Sequence, residues 1–415
     1  MISSFQANGY RNVKVDDLRF GKVNLLIGPN NSGKSNFIRA MGFLRDMLGF
    51  SIELRRDENP FEKAVAVHGG ARIPDRRAAQ ASNVAMRWAF AAGEEEVSFA
   101  LEMMITASPH HSDRARILME RLAGEGPEGS WDFRRINTGT PRDLYRPELT
   151  GPAQKIDLNL DPSLSALHQD DRTVNAVGGL VGGRYASAAL TAQEWAVESR
   201  AYACNRFDLD GMSGAVDTRT GLNDLDPTAT ELANVLRTWE LRPEGLEAYT
   251  EALQTLVPDL QRVWVQEAAG RRWVSLRVGG KQYELNEMSN GTLQAMALAY
   301  LLFTPFRVET LCLDEPEVNL HPAWQKVVGR WLQQRRSADQ LFISTHSPDL
   351  LDTFTEAFRA GEAKVFAFQP TTAEPQEGSI AREVTAQELA DRLDEGWELG
   401  DLYRVGDPQL GGWPW

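Results

Sequence analysis

One stretch of eight residues constrains this chain more than any other. Gly28-Pro-Asn-Asn-Ser-Gly33-Lys34-Ser35 fits G-x-x-x-x-G-K-[ST] at every fixed position. Before it, Val23 to Ile27 is a short apolar run that reads as a buried strand. After it, Phe37, Ile38, Met41, Leu44, Met47 and Leu48 recur at helical spacing, which predicts a helix from Ser35 to about Leu48 with one buried face. In such a strand–loop–helix unit the glycines let successive backbone N–H groups face one point. The helix start adds the positive end of its dipole, Lys34 supplies a charge for phosphate oxygens, and the Ser35 hydroxyl suits Mg²⁺. A chance glycine-rich turn would not need the strand before it or the helix after it.

The rest of the composition suits a large globular chain. It has 415 residues, 42% hydrophobic and 25% charged, enough for one composite domain or two ordinary ones. No uncharged apolar run reaches the roughly 18 residues of a membrane span, and Met1 to Val15 lacks the pattern of a secretory signal. Only Cys204 and Cys312 could pair, so a reducing, cytoplasmic setting is expected. The net charge is −14; the first 160 residues hold 22 basic and 20 acidic side chains, leaving 22 and 38 for the remainder. The acidity therefore lies in the C-terminal part, which does not advertise nucleic acid. Arg55–Arg56, Arg76–Arg77 and Arg134–Arg135 could line a groove, but solvated surface is the favoured reading of each.

The chain opens with strands. Residues 84–105 read as a β-hairpin turning at 91–96, and 106–225, rich in Pro, Gly, Asp and Arg with weak periodicity, reads as an inserted helical or irregular subdomain. From 226 onward, helices (Leu232 to Trp239, Leu246 to Leu256, Leu293 to Leu301, Trp324 to Leu332) alternate with strands (Val263 to Val265, Trp273 to Val278, Thr310 to Leu313, Leu341 to Thr345). This is an α/β pattern with a mixed, partly parallel sheet. The expected division is 1–105, 106–225 and 226–415, with the outer two forming one head.

Three further segments carry chemistry. Leu311-Cys-Leu-Asp314-Glu315 is an apolar strand ending in two carboxylates; a metal-and-water site uses such a pair, with Asp314 in the Mg²⁺ shell and Glu315 orienting or deprotonating a water. Leu341 to Thr345 is an apolar strand ending at His346, whose imidazole N–H could reach a terminal phosphate. Ser289-Asn-Gly291-Thr-Leu293 opens a helix, either as an ordinary cap or as a second anion-binding helix end. His321 reads as a loop or helix-start residue. Glu317 is ambiguous between supporting the neighbouring carboxylates and meeting a partner.

Taken in order, GPNNSGKS, MSNGTLQ, LCLDEPEVNLHP and ISTHSPDLLD resemble the Walker A, signature, Walker B with D-loop, and H-loop of ABC-type AAA-family ATPases of the RecF, SMC and OLD group. GYRNVKVDDLRF is similar to their opening strand pair, DPTATELANVL to a helix start before the signature, and LGDLYRVG to a C-terminal stretch. The resemblance covers about 1–50 and 225–415. It implies an ABC-type P-loop ATPase head with a mixed central sheet and an N-terminal antiparallel β-subdomain. It implies ATP and Mg²⁺ as cofactors, with nucleotide contacts from Arg11, Asn12, Gly28, Asn30, Asn31, Ser32, Gly33, Lys34, Ser35 and Asn36. Metal contacts would come from Ser35 and Asp314, and catalysis from Lys34, Glu315 and His346. Ser289 and Gly291 would close over the nucleotide of a second copy, making a homodimer or larger assembly. Two departures stand out: Gln294 occupies a position where arginine is common, and the Q-loop has only Gln80 as a weak candidate.

The resemblance implies ATP hydrolysis that switches a separate effector such as a nuclease, in phage defence or nucleic-acid surveillance. The competing readings are a RecF-like DNA repair clamp, with DNA as a direct partner, and a scaffold that ATP merely holds together. A long coiled coil and a TOPRIM nuclease, which SMC and OLD proteins respectively carry, are not expected. A membrane partner is not expected either.

Overall fold

In a computed structural model, the chain is described at residues 1–48, 59–74, 83–106, 114–127, 129–136, 144–147, 156–157, 184–240, 243–335, 337–370 and 379–410. The strands and helices come in this order. First are β1 (Ile2–Tyr10), β2 (Val13–Arg19), β3 (Val23–Ile27), α1 (Lys34–Met47), α2 (Pro60–His68), β4 (Asn83–Ala92), β5 (Glu95–Thr106), β6 (Arg114–Gly126), β7 (Gly129–Ile136), β8 (Leu144–Pro147), β9 (Ile156–Asp157) and α3 (Arg184–Val197). Then follow β10 (Ser199–Ala203), α4 (Leu209–Ser213), β11 (Val216–Asp217), α5 (Leu232–Glu240), α6 (Pro243–Gln254), β12 (Leu260–Ala268), β13 (Arg271–Val278), β14 (Lys281–Glu284), α7 (Asn290–Phe303), β15 (Val308–Asp314), α8 (Pro322–Gln334) and β16 (Ala338–Ser344). The chain closes with α9 (Pro348–Asp352), α10 (Thr355–Arg359), β17 (Ala363–Pro370), β18 (Ser379–Val384), α11 (Ala390–Asp394) and α12 (Leu399–Arg404). None of the described helices is long and apolar enough to cross a membrane. The result is the α/β class with mixed pairing that the sequence predicts.

Two compact units divide the chain: Met1–Gly21, Gly28–Ser199 and Phe366–Glu383 form the first, and Lys22–Ile27, Arg200–Val365 and Val384–Trp415 the second. In the first unit, β18-β2-β1-β4-β5-β6-β7-β8-β9 run side by side. The β18–β2 pair is parallel and the rest are antiparallel. The predicted 84–105 hairpin is β4 and β5, joined by a turn at Gly93, with Trp88 opposite Phe99. Aromatic rings bind α1 to this sheet: Phe37 lies 5.4 Å from Phe5 and 5.4 Å from Phe368, all edge-on. The Trp88 indole donates to the Met41 carbonyl at 2.8 Å, which satisfies its one polar atom in the core.

Part of the stretch that looks irregular in the sequence is ordered sheet. β6 pairs with β5 from Glu96 opposite Glu125 to Thr106 opposite Arg114, and β7 continues it. A bulge explains the missing alternation. Glu102 faces Met119 while Met103 faces Ile117, so one residue of β6 is extra. Ile117 is buried on one side of the bulge, and Glu120, Leu122 and Gly124 on the other, so the inward set changes from odd to even positions.

In the second unit, β15, β16 and β3 are parallel neighbours, with β10 outside β15. Their residues read as near-continuous apolar runs because both faces are covered: Leu25, Leu26, Leu313, Leu341, Phe342 and Ile343 are all 0% exposed. Helix α7 is apolar on every side and buried from Leu293 to Phe303. Around it, Trp239 of α5 stacks on Tyr300 with centroids 4.4 Å apart, and Tyr249 of α6 meets Trp239 edge-on at 5.7 Å. A separate small antiparallel sheet, β11-β13-β12 with β14 on β13, covers α5 and α6. The cap at Asp226 shows how the start of α5 is set: its carboxylate accepts from the amides of Thr228 (3.0 Å) and Glu231 (2.7 Å).

Because Trp239 is fully buried at the junction of three helices, Trp239→Ala should destabilise the protein by about 3–5 kcal/mol. The check is the shift of the urea midpoint followed by far-UV circular dichroism.

Candidate functional site

In the first unit, the loop that leaves β3 turns at once. Gly28 has φ = 138°, and an added Cβ would lie 2.2 Å from the Phe368 carbonyl oxygen, so only glycine fits. Asn31 takes φ = 62° and Gly33 φ = 98° as the N-cap of α1. Lys34 is 4% exposed. Its ammonium donates to the carbonyls of Gly28 (2.8 Å) and Pro29 (3.0 Å) and approaches the Ser32 hydroxyl at 3.4 Å. The charge is thus held inside the curve of the loop, where phosphate oxygens would meet it. Asn30 and Asn31 are exposed at the loop crest; Ser35 and Asn36 are half-buried on the first turn of α1.

Arg11 and Asn12 form the two-residue turn between β1 and β2, since Tyr10 pairs with Val13. Arg11 takes φ = 54°. The structure brings both to the loop. The Asn12 side-chain amide donates to the Asn31 backbone carbonyl (3.2 Å), the Asn36 side-chain amide donates to Asn12 Oδ1 (2.7 Å), and Arg11 donates to Asn36 Oδ1 (3.1 Å) and to the His68 backbone carbonyl (2.8 Å). Beneath them lies a chain absent from the sequence reading: the Tyr10 hydroxyl meets His68 Nδ1, and His68 Nε2 meets Asp46 at 2.7 Å. It ties β1, α2 and α1 together behind the loop.

In the second unit, the parallel register sets Leu26 of β3 opposite Ser344 of β16, and Ser344 opposite Asp314 of β15. The residues that follow these strands therefore emerge at one edge: Thr345 N–H donates to the Leu26 carbonyl (3.1 Å) and Glu315 N–H to the Ser344 carbonyl (2.9 Å). Carboxyl ends of parallel strands are where α/β sheets bind ligands. Asp314 is 6% exposed and accepts from the Ser344 hydroxyl. Glu315 has φ = 54°, a left-handed conformation that turns its side chain away from the strand direction. One carboxylate oxygen accepts from Asn205 at 2.9 Å, and the other stands 3.7 Å from His346 Nε2.

Glu317 is buried and supports its neighbours: one oxygen accepts from the Thr345 hydroxyl (2.8 Å) and from the His346 amide (2.7 Å). Burial pushes its carboxyl above the usual glutamate range, with the Glu315 charge adding to the rise and these hydrogen bonds opposing it. Gln325 extends the tie, donating to the Leu320 carbonyl (2.9 Å) and accepting from Ser347 (2.5 Å). His321 caps α8, accepting from the Ala323 amide at 3.2 Å.

The signature-like segment lies apart from the strand tips in its chemistry. Ser289 is the exposed N-cap of α7 and accepts from the Thr292 amide at 3.2 Å; Gly291 passes close to the Asn319 carbonyl. Gln294, where arginine was expected, is fully buried, and its amide reaches toward the Cys204 carbonyl at 3.5 Å. Gln80 and the pairs Arg55–Arg56 and Arg76–Arg77 lie outside the described residues, and Arg134 pairs with Asp132 at 3.1 Å.

Two residues of this site are missing from the sequence reading. Asn205 follows β10 in a tight turn, Cys204–Arg206. Tyr403 of α12 places its hydroxyl 3.3 Å from His346 Nδ1. The signal for Asn205 is faint: the strand before it is five residues long, and buried Tyr202 and Cys204 are separated only by Ala203. Tyr403 sits in a segment whose resemblance gives it no role.

Among the described residues, no group of three or more His, Cys, Asp or Glu side chains could cage a metal ion. Mg²⁺ does not need one, because it is commonly bound by one or two protein oxygens with substrate phosphates and water completing the shell. A buried lysine inside a glycine-cradled loop suits the phosphates of a nucleotide, and Ser35 in the first unit and Asp314 in the second each carry an oxygen of the kind Mg²⁺ takes.

Replacing Glu317 by alanine should destabilise the protein by about 1–3 kcal/mol for each buried donor left without an acceptor, and Glu317→Gln should cost less. The folded state raises this pKa, so it binds the proton more tightly than the unfolded chain. The stabilisation is complete below the ordinary glutamate range and is lost as pH rises through the folded value. Urea midpoints collected between about pH 4 and 8 should therefore show a component that falls with pH in the native chain and is missing in Glu317→Gln.

A family model described as "AAA domain, putative AbiEii toxin, Type IV TA system" matches residues 23–77 and 277–352, less than half of the chain. Solved SMC heads align over most of it. A Smc head bound to the C-winged helix domain of ScpA is 14% identical, covers 93% of this chain and 99% of its own, and has a TM-score of 0.47. The SMC head domain from Thermotoga maritima is 14% identical, with 92% and 98% covered and a TM-score of 0.38. A Smc head domain with an extended coiled coil, bound to the C-terminal domain of ScpA derived from Pyrococcus furiosus, is 12% identical, with 95% and 98% covered and a TM-score of 0.43. The two stretches matched by the family model hold the glycine loop, the start of α7 and the tips of β15 and β16.

Proposed function

We propose that the chain binds ATP with Mg²⁺ on the loop at residues 28–36, hydrolyses it with Glu315, and does so between two copies of itself. The observation that most supports this is the single row Leu26, Ser344, Asp314. It makes one sheet edge the point from which the glycine loop, His346 and Glu315 all depart.

Lys34 and the loop amides bind the β- and γ-phosphates. Mg²⁺ held by Ser35 and Asp314 would neutralise charge on the phosphate oxygens. Glu315 orients a water and accepts its proton while the water oxygen bonds to the γ-phosphorus and the bond to the β–γ bridging oxygen breaks. ADP and phosphate result. His346 donates through Nε2 to a γ-phosphate oxygen. Ser289 and Gly291 of a second copy close over the same phosphate, so bound ATP joins the copies and hydrolysis releases them. The exposed helix start at Ser289 suits such a contact. Heads that this chain resembles act through a separate nuclease or other effector, often in phage defence, and we assign the joined state that role.

Glu315→Gln should retain ATP binding and lose turnover by about 100-fold or more. In light scattering after size exclusion, its mass should double with ATP and not without it. Unchanged turnover would leave ATP as a structural glue only, and an unchanged mass would remove the two-copy mechanism. Lys34→Ala should abolish both nucleotide binding and the mass change. If the joined Glu315→Gln form binds duplex DNA with an affinity that falls steeply with salt, a DNA clamp replaces the effector switch.

A further inference from the structure

His346 stands between two oxygen-bearing side chains, and only Glu315 has a part in the hydrolysis described above. Its Nε2 lies 3.7 Å from Glu315 Oε1, and its Nδ1 lies 3.3 Å from the hydroxyl of Tyr403, 57 residues later in the chain. We propose that Tyr403 is a positioning residue of the ATPase site, donating its O–H to Nδ1 and thereby fixing His346 as the Nε2–H tautomer. The proposal rests on the assignment of ATP hydrolysis to this site and adds to it the residue that prepares the phosphate sensor.

The argument begins with the inventory of a neutral imidazole, which has one N–H and one lone pair. A carboxylate only accepts. With the proton on Nδ1, the Nε2 lone pair would face the lone pairs of Glu315 Oε1. With the proton on Nε2, that contact is attractive, and Nδ1 becomes an acceptor in need of a donor. The Tyr403 hydroxyl is such a donor. A γ-phosphate oxygen is also an acceptor only, so the tautomer favoured by Glu315 and Tyr403 is the one a phosphate sensor requires.

The hydroxyl is held there by a packed helix. Tyr403 is 5% exposed. An added Cβ at Gly400 would lie 2.1 Å from the Pro348 carbonyl, so α12 lies directly against α9, the helix that starts just after His346. Arg404 reaches across to Asp349 (3.3 Å) and Asp352 (3.2 Å) of α9, and the Leu399 amide donates to Thr355 at 3.0 Å. Glu317 fixes the His346 backbone amide from the other side at 2.7 Å. The backbone and the ring of the histidine are therefore set by different residues.

Tyr403→Phe in the full chain tests this, because it keeps the ring in the core and removes only the hydroxyl. Turnover of ATP should fall by about 10-fold or more with KM for ATP unchanged. Long-range ¹H–¹⁵N spectra of the histidine rings, with His346 assigned by its loss in His346→Gln, should change from the Nε2–H pattern to one with Nδ1–H populated. Tyr249→Phe is the control: it removes another buried hydroxyl, one that donates to the Met296 carbonyl at 3.2 Å, and should leave both readouts as in the native chain. A Tyr403→Phe protein that keeps the Nε2–H pattern overturns the proposal whatever its turnover. So does a Tyr249→Phe protein that loses turnover to the same degree. If the native chain does not hydrolyse ATP, the ATPase assignment fails on its own, and the ring spectra still decide whether Tyr403 sets the tautomer.

Discussion

The parallel pairing of β3, β16 and β15 is the constraint on which the rest depends. Each strand is buried on both faces, so its middle is mainly apolar, and the buried polar residues it does hold are bonded across the sheet: Asn24 to the Leu341 carbonyl and Thr310 to Gln340. At the edge polar groups meet in one row: Ser344 donates to Asp314, Glu315 donates its amide to Ser344, and Thr345 donates to Leu26. A slip of one residue in any pair would carry a carboxylate into the sheet or an apolar side chain out of it.

The same edge holds a strained residue. Glu315 holds a left-handed conformation at a cost of roughly 1–3 kcal/mol, and its amide and carboxylate are tied to Ser344 and Asn205. The turn lets two adjacent acidic residues do different things. Asp314 is buried and bound to a serine, while Glu315 faces a histidine and an amide. Glu317, two residues on, is buried as well and binds the backbone of the histidine segment. Three carboxyls within four residues thus occupy three environments.

Legibility in the sequence followed the strength of local pattern. Helix α1 was readable to within a residue because its apolar face repeats without interruption, and β15 and β16 were readable through their apolar stretches, Leu311 to Leu313 and Leu341 to Ile343. The sheet continuing through β6 was not, because its bulge switches the inward face midway. Helix α3 was hidden for another reason: apart from Trp195, its inward face is largely alanine (Ala188, Ala189, Ala192, Ala196), which gives little contrast with its surroundings. Lys34, Asp314, Glu315 and His346 were visible as candidates because each sits in a local motif. Asn205 and Tyr403 reach the site only through tertiary packing, and no local spacing announces them. Glu317 was visible as a residue but not in its role, since its partners lie almost thirty positions away.

The order in which the chain is made acquires a meaning from the pairing of β3 with β16. Asn24 donates its side-chain amide to the Leu341 carbonyl, 317 residues apart. During synthesis β3 is released long before β16, the strand that pairs with it, and the hydroxyl facing His346 comes later still. Such distant closure is slow relative to local folding. A nascent chain therefore carries β3 for 317 residues before the strand that pairs with it along that edge has been made.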